Sequence, residues 1–174
     1  MIAAVVLAAG ASTRFGVPKQ RILLGEVLAR LAAAPVDEIV VVEGAHPLEP
    51  PGELGVPVRL VPCADWEQGP GASLRCGLAA LPAGTEAAVV VLADGPDLAP
   101  EAVSRVLERW RAGAGAAAAA YGGSRGHPLV LSRSRWKDIP DEGLRHQEIT
   151  LVPCDDLGAP GDVDEPADLP ERLR

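Results

Sequence analysis

The first twenty residues of the chain constrain its fold more than any other stretch. An apolar run from Ile2 to Leu7 is short enough to be a buried strand, and it ends in the small residues 8–10. The loop that follows carries two cations, Arg14 and Lys19. A strand that opens into such a loop is typical of an anion site at the carboxyl edge of a parallel sheet. We therefore expect this loop to bind an anionic ligand, with a nucleoside triphosphate as the leading candidate.

Strands and helices alternate along the rest of the sequence. The pattern predicts strands at 2–7, 38–42, 58–61, 87–92, 112–121, 128–131 and 149–152, and helices at 27–34, 72–81, 100–111 and 166–173. The strand at 87–92 is apolar at every position, as in the centre of a parallel sheet. This order predicts an α/β fold, a three-layer sandwich in which helices cover both faces of a doubly wound, mostly parallel, Rossmann-like sheet. Because no repeat or linker divides the chain, we expect residues 1–174 to form one domain.

Composition excludes several functional classes. The net charge of −8 argues against a nucleic-acid-binding protein, which needs a basic face. No apolar stretch approaches the roughly 20 residues of a membrane span, and no signal peptide is evident, so a cytoplasmic protein is expected. The cysteines Cys63, Cys76 and Cys154 are odd in number and far apart. This spacing predicts reduced thiols rather than a zinc site or a disulfide.

Four stretches together resemble a known family. The stretch LAAGASTRFGVPK at 7–19 is similar to the signature loop of nucleotidyltransferases with the nucleotide-diphospho-sugar transferase fold. The Trp-x-x-Gly-x-x-x-Ser-Leu pattern within 65–78, Gly-His-Pro at 126–128 and Gly-Asp-Val-Asp within 161–169 are similar to elements of one branch. That branch contains the molybdenum cofactor cytidylyltransferases and guanylyltransferases.

The resemblance implies roles for individual residues of this sequence. Those implied to bind the nucleotide are Leu7, Ala8, Ala9, Gly10, Ser12, Arg14, Lys19, Gly69 and Ser73. Arg14 and Lys19 would contact the phosphates, where negative charge develops during transfer, and with Asp94 they form the implied catalytic set. We expect Pro18 to hold Lys19 in an extended conformation before the first helix.

A metal site is implied by the same resemblance. Asp94 follows the strand at 87–92 and corresponds to the family's Mg²⁺ ligand, with Asp164 as the second ligand and Asp162 as its alternative. Carboxylates beside phosphates are the usual environment of Mg²⁺. From the residues alone, Asp94 could equally be a turn residue, and the two later carboxylates part of a solvated acidic tail. Asp97 is expected to cap the following helix.

The sequence indicates less about the roles of the histidines and of Trp66. His127 is the one histidine within a motif, and it could line the acceptor side of the site or have a structural role. We expect no functional role for His46 or His146. Trp66 could equally belong to the core.

The function implied is nucleotidyl transfer. The terminal phosphate of an acceptor would attack the α-phosphate of a triphosphate and release pyrophosphate. Since a phosphate monoester is already ionised near pH 7, no general base is needed. The implied acceptor is molybdopterin or its molybdenum-bearing form, and Ala9, where guanylyltransferases tend to have glycine, favours CTP.

Three alternatives stay open. The motifs also agree with guanylyl transfer from GTP, with transfer to a sugar or polyol phosphate, and with a nucleotide-binding accessory protein of a molybdoenzyme with little turnover. They stay open because the sequence departs from the family. The segment at 24–27 lacks the family's lysine, and Gly95 stands where Gln or Met is usual.

Overall fold

A seven-stranded sheet forms the centre of the molecule. The computed structural model describes residues 1–49 and 51–174. The strands are β1 (Ile2–Leu7), β2 (Glu38–Glu43), β3 (Val58–Pro62), β4 (Ala87–Leu92), β5 (Ala116–Tyr121), β6 (Ser124–Ser132) and β7 (Thr150–Pro153), in the order β3-β2-β1-β4-β6-β5-β7. Strand β6 runs antiparallel to both of its neighbours, and the other pairings are parallel. The predicted α/β class with a mostly parallel sheet is confirmed.

Helices cover both faces of this sheet. They are α1 (Gln20–Ala32), α2 (Pro70–Ala79) and α3 (Pro100–Arg111). The side chains of one sheet face pack with α1 and α3, and those of the other face pack with α2. Among the helices of residues 1–49 and 51–174, none has the length and apolarity that a transmembrane span requires.

The central strands form because their side chains are apolar on both faces. Strands β1 and β4 are buried except at their last residues and pair in register from Ile2 opposite Ala87 to Leu7 opposite Leu92. A strand with two apolar faces is stable only where both are covered, which places β1 and β4 in the middle of the sheet. Their carboxyl ends therefore lie side by side.

Several predicted boundaries differ from the structure. Helix α1 begins at Gln20 rather than residue 27, and Lys19 is its N-cap with helical dihedral angles (φ −56°, ψ −30°). The prediction of an extended Lys19 was wrong, because proline restricts the residue before it, not the one after it. Strand β6 begins at residue 124 rather than 128. The predicted loop at 44–57 includes Pro50, which lies outside the described residues.

The predicted helix at 166–173 is also absent. Two short 3₁₀ helices, Pro166–Asp168 and Glu171–Leu173, take its place. Pro170 separates them, and Leu169 just before it is extended (φ −59°, ψ 128°), as expected of a residue that precedes proline.

The cysteine prediction was wrong for one pair. Cys63 and Cys76 form a disulfide with their Cα atoms 5.8 Å apart, and Cys154 is a buried free thiol. The sequence separation of 13 residues hid the pairing, since it is the fold that brings the end of β3 against α2.

Candidate functional site

Two loops meet where β1 and β4 end. Leu7 O accepts a hydrogen bond of 3.1 Å from Ala93 N, which ties the loop after β4 to the loop after β1. A cavity of about 200 Å³ opens between them. It is lined by Leu7, Gly10, Ser12, Thr13, Arg14, Lys19, Gln20, Ala93, Asp94 and Asp164. Most of the residues predicted to contact the phosphates and metal therefore share one cavity.

A buried glutamine fixes the shape of the first loop. Gln20 Nε2 donates to Gly10 O at 3.0 Å, and Gln20 Oε1 accepts from Ser12 Oγ at 2.7 Å. Ser12 has a positive φ of 54°, and its Oγ also accepts from Lys19 N at 3.2 Å. These bonds hold the loop against the first turn of α1. Sequence reasoning missed Gln20, because its burial follows from the fold and the predicted helix began only at residue 27.

His46 supports the same loop from the other side. Its Nε2 lies 3.0 Å from Ala11 O, and Ala45 N donates to Ala9 O at 3.0 Å. His46 therefore has a structural contact with the loop of the candidate site, which no sequence pattern revealed. That His46 has no functional role stays a prediction.

The predicted phosphate-binding cations face carboxylates. Lys19 Nζ donates to Val163 O at 2.5 Å and lies 3.2 Å from Asp94 Oδ2 and 3.4 Å from Asp164 Oδ1. Arg14 Nη2 lies 3.1 Å from Asp164 Oδ2. The Lys19 side chain is 12% exposed, whereas that of Arg14 is largely exposed. Solvent therefore screens the ion pairs of Lys19 less than the ion pair of Arg14.

Three carboxylates cluster beside this ammonium. Asp94, Asp162 and Asp164 each offer an oxygen within 4.8 Å of the others. Asp94 Oδ1 is buried and has no hydrogen-bond partner in the described part of the chain. Partial burial raises the pKa of Asp162, and the negative charges of Asp94 and Asp164 raise it further. An unpartnered buried oxygen among hard oxygen donors fits a divalent cation such as Mg²⁺ or Mn²⁺.

The sequence ranked Asp162 only as an alternative to Asp164, whereas the structure brings both to the cluster. They belong to a C-terminal segment, residues 160–169, that crosses the end of β4. Val163 N donates to Asp94 O at 3.1 Å, and the Val163 side chain packs with Phe15 of the first loop. One segment therefore carries two of the three carboxylates and contacts the first loop.

A second cavity, of about 320 Å³, adjoins the first at Leu7 and Gly10. It is lined by Leu7, Ala9, Gly10, Trp66, Gly69, Pro70, Ser73 and Leu92. The side chains around it are mostly apolar, and it lies at the N-terminus of α2. Ala9, Gly69 and Ser73 are thus brought together as predicted for a base site, and Trp66 joins them. Ala8 lines neither cavity; its N–H extends the sheet by donating to Val42 O at 3.0 Å.

A third cavity, of about 280 Å³, meets the carboxylate cluster at Asp162. It is lined by Val91, Leu92, Gly95, Leu98, Arg125, Gly126, His127, Pro160, Gly161 and Asp162. Burial lowers the pKa of His127 to about 4, so this imidazole is neutral at pH 7. Asp97 does not cap α3 as predicted. It pairs with Arg172 at 2.6 Å, and Ala99 is the N-cap.

The candidate site lies where strands end in loops at the carboxyl edge of a mostly parallel sheet, and it combines cations with a carboxylate cluster. This is the architecture of a nucleotidyltransferase. The model of the family described as "MobA-like NTP transferase domain" matches residues 4–155. The chain belongs to this family.

Solved structures agree with this assignment. A homologue of Rv0371c from Mycobacterium sp. strain JC1 is 27% identical, covering 96% of this chain and 92% of that one, with a TM-score of 0.75. Rv0371c from Mycobacterium tuberculosis is 27% identical over 97% and 95% of the two chains, also with a TM-score of 0.75. A nucleotidyl transferase from Methanothermobacter thermautotroptrophicus, 24% identical over 97% and 94%, shares the fold with a TM-score of 0.72. Curated protein sequences give no match.

Proposed function

We propose that this protein transfers CMP from CTP to a phosphate-bearing acceptor of the molybdopterin type, with Mg²⁺ as cofactor and pyrophosphate as the second product. The family assignment establishes the nucleotidyltransferase class; nucleotide, metal and acceptor are our proposals. The observation that carries the overall proposal is a single cavity at which Lys19 Nζ lies 3.2 Å from Asp94 Oδ2 and 3.4 Å from Asp164 Oδ1.

Asp94, Asp162 and Asp164 are the residues that would hold the divalent ion. When bound, the ion would neutralise charge on the phosphates and orient them. A structure of Rv0371c from M. tuberculosis, of which this chain is a 24% identical fold relative with a TM-score of 0.65, was solved in complex with manganese. That complex supports a divalent ion in the present protein but does not distinguish manganese from magnesium.

Lys19 and Arg14 supply the protein's own positive charge. Lys19 is nearly buried, and a preorganised cation in a partly dry site stabilises developing negative charge better than a solvated one. Gln20 and Ser12 hold the backbone of the loop in place around a triphosphate. Because the acceptor phosphate is ionised at pH 7, positioning and neutralisation suffice, and no residue need act as a general base.

The cavity between Ala9 and Ser73 is our candidate base site. It adjoins the phosphate cavity through Gly10, which matches the connection between a base and its phosphates. Ala9 lines this space, and we infer that its methyl group favours the smaller cytosine over guanine. GTP remains the alternative nucleotide.

The cavity at His127 is our candidate acceptor site. It meets the carboxylate cluster at Asp162, so an acceptor phosphate there would lie next to the proposed metal. Arg125 contributes a cation, and neutral His127 contributes hydrogen bonding rather than charge. Sugar and polyol phosphates would also match this chemistry, and a molybdoenzyme is the expected partner for delivery if the acceptor is molybdopterin.

Pyrophosphate release tests the proposal. The protein is incubated with Mg²⁺ or Mn²⁺, with each of the four ribonucleoside triphosphates, and with either molybdopterin or a panel of sugar and polyol phosphates. We expect release with CTP and molybdopterin. Faster release with GTP would overturn the base assignment, and release only with sugar phosphates would overturn the acceptor. Tight nucleotide binding without release under any condition would favour the accessory-protein alternative.

A further inference from the structure

A glycine next to two residues of the candidate base site has no room for a side chain. Gly44 directly follows β2, and a Cβ atom built on it would lie 2.6 Å from Trp66 Cγ, 2.7 Å from Ala9 Cβ and 2.8 Å from Ala9 O. Real Cβ atoms essentially never approach other heavy atoms this closely. The φ of Gly44 is outside the positive region. Glycine is therefore required at this position because a side chain would clash, and not because of the backbone conformation.

Both neighbours of Gly44 line the base cavity. Ala9 and Trp66 line its wall, and Gly44 adjoins both without lining the cavity itself. Ala9 is also anchored to this position by the 3.0 Å bond from Ala45 N to Ala9 O. Any atom added at Gly44 must therefore displace Ala9, Trp66 or both, and such a displacement changes the wall of the cavity.

We propose that Gly44 is a specificity-positioning residue that sets the size of the base site by letting Ala9 and Trp66 stand back from it. This inference rests on the proposed nucleotide binding and adds a determinant of base choice. Gly44 itself would touch no ligand. It acts through the two residues that do, and so it affects recognition of the base and not of the phosphates.

The chain offers a matched control. Gly84 also lacks a positive φ, and a Cβ built on it meets no atom of the described residues within 4 Å. A Gly84→Ala variant therefore carries the same chemical change without displacing a neighbour, and it lies outside the three cavities described above. Differences between the two variants then report on crowding at Gly44.

The test measures Kd for three probes in the presence of Mg²⁺: CTP, GTP and inorganic tripolyphosphate, which has no base. In Gly44→Ala we expect the Kd ratio of GTP to CTP to rise at least about tenfold, since one methylene in a recognition pocket is worth roughly 10- to 200-fold. Tripolyphosphate affinity should stay within about twofold of wild type, and Gly84→Ala should change none of the three.

A second variant separates crowding from misfolding. Ala9→Gly combined with Gly44→Ala removes the 2.7 Å contact with Ala9 Cβ and leaves the 2.6 Å contact of the new Cβ with Trp66 Cγ. Compared with Ala9→Gly alone, the double variant should therefore still show a higher Kd ratio of GTP to CTP. An unchanged ratio in Gly44→Ala, or an equal loss of tripolyphosphate affinity, overturns the inference while the proposed function stands. If Gly44→Ala does not fold, the double variant is compared with Ala9→Gly alone, where an unchanged ratio overturns it. Wild-type protein that binds none of the probes refutes the proposed function and the inference together.

Discussion

Replacing Asp94 by Asn tests the carboxylate cluster with the smallest change in shape. The substitution keeps the size of the side chain and removes its charge. Asp94 Oδ2 lies 3.2 Å from Lys19 Nζ, and Asp94 Oδ1 is buried without a partner in the residues that the structure describes. Its other charged neighbours are the carboxylates of Asp162 and Asp164. Attraction and repulsion therefore act on the same side chain.

These opposing interactions nearly cancel. At an effective dielectric constant of about 20, Coulomb's law gives roughly 5 kcal/mol of attraction for Lys19 and Asp94 at 3.2 Å. Two carboxylates at the 4.8 Å limit of the cluster repel by roughly 3.5 kcal/mol on the same basis, and solvent reduces this because Asp162 is only partly buried. After screening, the repulsions from Asp162 and Asp164 together roughly offset the attraction to Lys19. We expect Asp94→Asn to change the free energy of unfolding by less than about 2 kcal/mol.

Activity should respond far more than stability. A divalent ion contributes several kcal/mol to transition-state stabilisation, and losing 3–4 kcal/mol lowers the rate roughly 100- to 1,000-fold. Removing one of three carboxylates also weakens binding of the ion itself. The expected phenotype is a folded protein with weak metal binding and little turnover.

Three measurements check this prediction: pyrophosphate release with CTP and molybdopterin, Mn²⁺ affinity by titration calorimetry, and unfolding in urea. Asp97→Asn is the control, because Asp97 lies on the same loop but pairs with Arg172 instead of the cluster. The reasoning is refuted if Asp94→Asn keeps more than about a tenth of wild-type turnover with Mn²⁺ affinity intact. A stability loss above about 4 kcal/mol would refute the charge balance.

Three further predictions concern stability and loop geometry. The folded-state pKa of His127 is about 4, below the ordinary value of 6.5. The free energy of unfolding should therefore fall by about 3 kcal/mol as the pH drops from 6.5 to 4. Urea unfolding of His127→Gln should not show this loss. Reducing the Cys63–Cys76 bond should lower the free energy of unfolding by about 3 kcal/mol, and thiol titration of unfolded protein should rise from one group to three. Phe15→Ala should cost about 3 kcal/mol and weaken tripolyphosphate binding, because Phe15 packs the first loop against Val163.

Each of these has a clear contrary result. Equal pH dependence in His127→Gln and wild type would mean that His127 is not buried in its neutral form. Three reactive thiols before reduction would contradict the disulfide. Unchanged tripolyphosphate affinity in Phe15→Ala would show that the first loop keeps its shape without the C-terminal segment.

Strands and motif residues were predictable because their information is local. The uninterrupted apolar runs of β1 and β4 specify buried central strands at 2–7 and 87–92, which the structure reproduces residue for residue. Arg14, Lys19, Asp94 and Asp164 were singled out by motifs far apart in the sequence, and the fold brings them to one cavity. Their chemical roles stay predictions.

What the sequence missed depends on contacts between distant segments. Gln20 and His46 act on the first loop through backbone carbonyl groups, which leave no mark on residue types elsewhere. The disulfide follows from the approach of β3 and α2, and no spacing rule for cysteines reveals it. The absent helix at 166–173 was an avoidable error, since Pro170 stands inside it.

The carboxylate cluster also cannot form before the C-terminal segment has been synthesised. Lys19 and Asp164 are separated by 145 residues, and a ribosome adding 5–20 residues per second needs roughly 7–30 s to cover that distance. Until residues 160–169 emerge and fold across β4, a nascent chain has the first loop but only one carboxylate of the cluster. Prematurely terminated chains that contain most of the sheet would thus be unable to assemble the cluster.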